Sequence, residues 1–153
     1  MHGQHLSPTG VNADRVRERP TWLVSRAFAR SSALLNDGFA GRGGGLRSYH
    51  YRLLAALEQW GPASQAALGR ATGIDRSDVT AGIVELESHA LVARTVDPTN
   101  RRRKIVEITT TGRRRLVQLD RLIDDIQKLF LAPLSPAEQR QFTKIMRKLA
   151  QSE

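Results

Sequence analysis

The chain contains no cysteine. Disulfides, thiolate metal ligands, thiol catalysis and cysteine redox sensing are therefore excluded. Aromatic residues make up only 5% of the 153 residues, too few for a sheet that stacks bases on ring faces. No apolar run approaches the roughly 20 residues that a spanning helix needs. The opening MHGQHLSPTG lacks the apolar centre of a secretory signal, so a cytoplasmic chain without membrane contact is expected. The four histidines, His2, His5, His50 and His89, show no metal-ligand spacing. The glycines between Gly41 and Gly45 are not followed by the Lys-Ser/Thr of a phosphate loop. No nucleophile elbow surrounds a serine. Neither an enzyme, a metal nor a cofactor is expected.

Basic charge is abundant: Lys and Arg number 24 against 15 Asp and Glu, a net charge of +9. A compact chain this basic calls for a polyanionic partner, usually nucleic acid. The length suits one domain. Residues 1–14 carry no hydrophobic period and read as an arm; residues 15–153 read as a single domain.

Apolar spacing of three and four predicts helices. The first runs over residues 20–36, with Pro20 in its first turn, and the second over 46–60, ended by Gly61-Pro62. A short third covers 64–71 with Ser64 as N-cap. A fourth follows Asp75 with a capping box completed by Asp78. Segments 91–96 and 105–109 read as strands of a hairpin, and 97–104 as its basic tip. A long helix over 113–131 is stopped by Pro133. The last opens at Ser135-Pro136-Ala137-Glu138, a capping box with proline in the first turn. The fold class is mainly α with a small β-hairpin wing: a winged helix-turn-helix with terminal dimerisation helices. The reader lies at about 46–110, the dimerisation helices at about 19–40 and 111–151.

In a helix-turn-helix the N-terminal part of the second helix meets base edges in the major groove. Here that segment carries Arg76, Ser77, Asp78, Thr80 and Ala81, with Ser64 and Gln65 opening the preceding helix. Arginine pairs with guanine, aspartate accepts from cytosine, and alanine or valine touches the thymine methyl. At the hairpin tip, Arg101, Arg102 and Arg103 suit a narrow minor groove. Double-stranded DNA is thus the expected partner. Leu116, Leu119, Ile123, Ile126 and Phe130 step as a heptad seam. Such a seam serves either an intramolecular core or a dimer; a homodimer is expected, because few internal surfaces remain to cover so long a helix.

Several segments together resemble the MarR family of bacterial transcriptional regulators: residues 50–57 (HYRLLAAL), 64–70 (SQAALGR), 75–80 (DRSDVT), the wing 97–103 (DPTNRRR) and Ile108-Thr109-Thr110-Thr111-Gly112. Asn100 departs from the aspartate usual before the wing arginines. The resemblance implies a homodimer built from the terminal helices and a palindromic operator, usually bound as a repressor. It places Arg102 in the minor groove and implies release by a phenolic or aromatic carboxylate effector, held between the first two helices and the reader. Arg15, Trp22, Arg26 and His50 are the candidate ligands for that effector, since an aromatic wall, a guanidinium and an imidazole suit such an acid. The alternative is an effector-independent or nucleoid-type DNA binder.

Overall fold

A computed structural model describes residues 15–152; the arm over 1–14 and its two histidines lie outside them. After a helical turn at 15–17 come α1 (Pro20–Arg42), α2 (Ser48–Trp60), β1 (Ala63–Ser64), α3 (Gln65–Thr72), α4 (Arg76–Ser88), β2 (Val92–Asp97), β3 (Asn100–Ile108), α5 (Thr110–Leu131) and α6 (Pro136–Ala150). Among the described residues no helix is long and apolar enough to cross a membrane.

Local chemistry accounts for most boundaries. Ser64 Oγ accepts from the Ala67 N–H at 3.2 Å and caps α3. Thr109 Oγ1 caps α5 by accepting from Gly112 N–H at 2.9 Å. Ser135 and Glu138 form the reciprocal capping box of α6. Asp75 stands at the N-cap of α4 without a side-chain cap to the backbone; its Oδ2 instead accepts from the Ser77 hydroxyl at 2.6 Å. The expected box with Asp78 is not formed.

Two expectations about helices fail for packing reasons. The first helix does not stop near residue 36 but continues to Arg42. Its internal Gly38 is a contact residue: a Cβ there would lie 2.6 Å from Ile126 Cδ1, so glycine permits α1 to press against α5. The heptad seam is also spent differently. Leu116, Leu119 and Ile126 are buried inside the single chain together with Leu122, and Ile123 packs against the same core. The seam therefore closes the protomer against α1 and α2. The apolar surface left uncovered lies elsewhere, on Phe28 and on α6, which has no buried residue.

The sheet is antiparallel in the order β1-β3-β2. The expected hairpin is present, but β1, only two residues long, adds a third strand through Ala63–Val106 and Ser64–Ile105 pairing. The basic residues are not a free tip either. Pro98 and Thr99 alone make the turn, and Asn100 already belongs to β3. Asp97 pairs with Asn100 and Val96 with Lys104. Arg101, Arg102 and Arg103 thus have no counterpart on β2 and form a bulge.

Ile126→Ala is expected to destabilise the fold by about 2–5 kcal/mol, as for a buried isoleucine. Val117→Ala, on the exposed side of the same helix, should stay within about 0.5 kcal/mol. Denaturant titration of both variants checks which face of α5 is internal.

Candidate nucleic-acid interface

α2 carries the reader. Leu53, Leu54 and Leu57 are almost wholly buried against Val79, Ile83 and Leu86 of α4. Gly82 lets the two helices close: a Cβ there would stand 2.9 Å from Leu53 Cδ1 and 3.0 Å from Tyr49 Cε2. With Val79, Gly82, Ile83 and Leu86 turned inward, helical geometry turns Ser77, Ala81 and Val84 outward. All three are exposed, as are Arg76, Asp78 and Thr80.

The sequence candidates on this surface divide into groups that project and groups that hold. The Arg76 side chain has no hydrogen-bond or ion-pair partner among the described residues, and Arg76 flanks the crevice between α3 and α4 with Gln65, Arg70 and Thr80. Thr80 Oγ1 donates to the Arg76 carbonyl at 3.0 Å and lies 3.4 Å from Gln65 Oε1. Ser64 is buried and its hydroxyl is committed to the α3 cap. Its oxygen thus has a structural role in the protomer.

The wing is organised by Asp97. Its side chain is only 6% exposed. Oδ1 accepts from Thr99 N–H at 2.9 Å and Thr99 Oγ1 at 2.7 Å. Oδ2 accepts from Arg103 Nε and Nη2 at 2.8 and 2.6 Å. Donors from Thr99 first, and the Arg103 guanidinium after them, lower its pKa to about 2. Arg103 is therefore a clasp across the base of the bulge. Arg101 and Arg102 have no such clasp among the described residues. Asn100 Oδ1 accepts the Arg102 backbone N–H at 3.1 Å, so it shapes the main chain and does not hold a guanidinium.

Asp97, which the sequence places only in the basic tip over 97–104, is the residue that shapes the wing. The signal was present in the i, i+6 spacing of an acid and Arg103 across a two-residue turn, but the bulge that brings them together was not visible. A second pair links α4 to the wing: Arg94 Nε and Nη2 donate to Glu87 Oε2 and Oε1 at 3.0 and 2.8 Å.

The effector candidates are not brought together within the chain. The Arg26 guanidinium lies 5.9 Å from the Trp22 ring centroid, a cation–π pair on exposed α1. Arg15 is exposed in the turn before it, its carbonyl accepting from Arg19 Nε at 3.0 Å. His50 is fully buried and has no surface to offer a ligand in the protomer. Its Nδ1 accepts the Arg47 N–H at 2.8 Å, the role of the third residue in a capping box. That bond leaves the proton on Nε2, which lies 3.1 Å from Glu85 Oε2 but off the line of a hydrogen bond. Between α1 and α2 there is instead a cavity of about 430 Å³, lined by Asn36, Phe39, Ala40, Gly45, Leu46, Arg47 and Ser48.

Burial lowers the His50 pKa below its ordinary 6.5, against the opposing pull of Glu85; Arg47 and His89 lower it further. The folded state then binds fewer protons than the unfolded one. His50 favours the fold above pH 6.5, and that contribution is lost as the pH falls through 6.5 towards the folded pKa. Glutamine can also reach back to the N-cap N–H but does not titrate. Denaturation midpoints measured from pH 8 to pH 5 should fall more steeply for the parent than for His50→Gln.

The comparisons with known proteins agree with this geometry. The MarR family model matches residues 45–103. The transcriptional repressor NicR of Pseudomonas putida is 29% identical over 138 residues, covering 90% of this chain and 86% of NicR. The crystal structure of a probable transcriptional regulator from Pseudomonas aeruginosa is 30% identical, covers 88% of this chain and 99% of its own, and superposes with a TM-score of 0.79. BpsR of Bordetella bronchiseptica, whose DNA binding is regulated by 6-hydroxynicotinic acid, is 26% identical with a TM-score of 0.80, covering 89% and 96% of the two chains. A reader helix locked on α2, a bulged arginine wing and this likeness over nearly the full length lead to one conclusion: the chain belongs to the MarR family of winged helix-turn-helix transcriptional regulators.

Proposed function

We propose that the protein is a homodimeric repressor that binds a palindromic operator and is released by a small hydroxylated aromatic acid. The observation that carries the DNA reading is the wing. Three arginines are extruded as a bulge, one of them clasped by buried Asp97, and the other two make no ion pair among the described residues. In this reading the unit over residues 46–110 reads DNA. Arg76, Ser77, Asp78, Thr80 and Ala81 meet base edges, Gln65 lines the approach, and Arg101 and Arg102 follow the minor groove beside it.

The dimer would form on the apolar face that the protomer leaves open. Leu23, Val24, Ala27 and Phe28 of α1 face Phe130 and, from α6, Phe142 and Met146 across a groove of about 480 Å³. Phe28 is 71% exposed and Leu149 59%. A contiguous apolar surface of this kind marks an interaction site, and a twofold pair of readers matches a palindrome.

The effector reading is supported by the likeness to BpsR and by the cavity between α1 and α2, whose volume suits a single-ring ligand. Phe39, Asn36, Ser48 and Arg47 are among its lining residues, residue types that fit an aromatic carboxylate. The Trp22–Arg26 pair could join it only from a neighbouring protomer. A ligand there would act by favouring a spacing of the two readers that does not fit the operator.

Footprinting on DNA selected from a random library tests the central reading: one protected palindrome is expected, and protection without sequence preference would favour the nucleoid-type alternative. On that operator, Arg102→Ala should weaken binding at all sequences and reduce the slope of log affinity against log salt by about 1. Arg103→Ala should act mainly by loosening the wing. Titration with 6-hydroxynicotinic acid and hydroxybenzoates should release the operator, and Arg47→Ala should weaken that response about tenfold, the worth of a charge-assisted hydrogen bond. Phe28→Asp should yield a folded monomer, since that ring is outside the core.

A further inference from the structure

The outward face of α4 is unlike an ordinary surface helix. Its centre holds Ala81 and Val84, and Val84 is 52% exposed, although solvent-facing helix positions usually carry lysine or glutamate. Of the two acids on the same half of the helix, Glu87 is held off this face. Glu85 Oε2 sits 3.1 Å from His50 Nε2 on one side. Glu87 is held on the other by both nitrogens of Arg94, at 3.0 and 2.8 Å. What remains is an uncharged patch with Arg76 five residues before Ala81 and the arginine bulge on the adjoining wing.

This arrangement fits one occupant. A water-facing helix gains nothing from an exposed valine at the centre of its outward face. The uncharged surface of Ala81 and Val84 matches the one apolar group that the major groove displays, the 5-methyl of thymine. We infer that Val84, with Ala81, determines specificity by packing on a thymine methyl in each half of the operator. This rests on the operator reading above. Glu87 is a spectator of that contact, kept aside by Arg94.

The test uses the full-length protein and the duplex it selects from a random-sequence library. Each thymine of the half-site is replaced in turn by deoxyuridine, which keeps every hydrogen-bonding group and removes only the methyl. About a fourfold loss of affinity per half-site is expected at one thymine, the worth of about one methylene taken out of water. Val84→Ala should reduce that penalty to near unity, whereas Arg76→Ala should leave it intact while changing preference at a different base pair. Tight binding that is indifferent to uracil at every position overturns the inference and leaves the operator reading standing. So does a uracil penalty that is unchanged in Val84→Ala. If no discrete duplex is selected, the operator reading fails and the inference with it.

Discussion

The close approach of α4 to α2 at Gly82 is the constraint on which the reader depends. Any side chain there would meet Leu53 and Tyr49. Its absence lets Val79, Ile83 and Leu86 sink fully among Leu53, Leu54 and Leu57, each worth roughly 1.5–3 kcal/mol when buried. A helix seated this deeply cannot rotate without exposing several of these groups. The rotation of α4 thus decides which residues look outward, and every base-reading assignment follows from it. α2 also holds the other half of the molecule: Tyr51 Oη donates to Asp120 Oδ1 of α5 at 2.7 Å, and burial together with that carboxylate raises the tyrosine pKa to about 12, so the phenol remains a donor throughout the physiological range.

Electrostatics in this chain concern placement more than stability. Half-exposed ion pairs contribute little to folding free energy. The pairs seen here nonetheless sort the charges. Glu87 is occupied by Arg94, Asp97 by Arg103, Glu58 by Arg113 and Asp125 by Arg42. Each neutralises an acid against a fold that carries an excess of arginine. Among the arginines that no acid pairs are Arg101 and Arg102 on the wing and Arg76 at the start of α4, on the surface proposed for phosphate and base contact.

The far end of the molecule is organised by the opposite chemistry. α5 leaves the core with its last carbonyls, those of Leu129 and Phe130, accepting from Arg30 at 2.8 and 2.6 Å. Beyond it α6 covers no core of its own. Its amphipathic pattern is satisfied only when something apolar lies against Phe142, Met146 and Leu149. The α1–α2 cavity lies where the helix that borders this open face meets the helix that carries the reader. A ligand there can bear on both, within the limit of its differential affinity for the two arrangements.

Sequence by itself determined the helices, the hairpin and two of the caps. Ser64 and the Ser135–Glu138 box act through neighbours three residues away, and period-3.6 spacing marks an apolar face whatever it packs against. The arginine cluster and the outward residues of α4 were legible for the same reason. Tertiary structure decided the partner of each face. A heptad pattern states that Leu116, Leu119 and Ile126 are covered but not by what, and Gly38 admits α1 to that position. A basic run states charge, but the bulge register makes Arg103 a clasp and leaves Arg102 to project. A histidine at the third position of a helix can cap or bind, and only burial under Tyr49 against Glu85 assigns His50 to capping. Periodicity and caps are local properties of the chain. Which surfaces meet depends on contacts between residues far apart in sequence, and these exist only once the helices have packed.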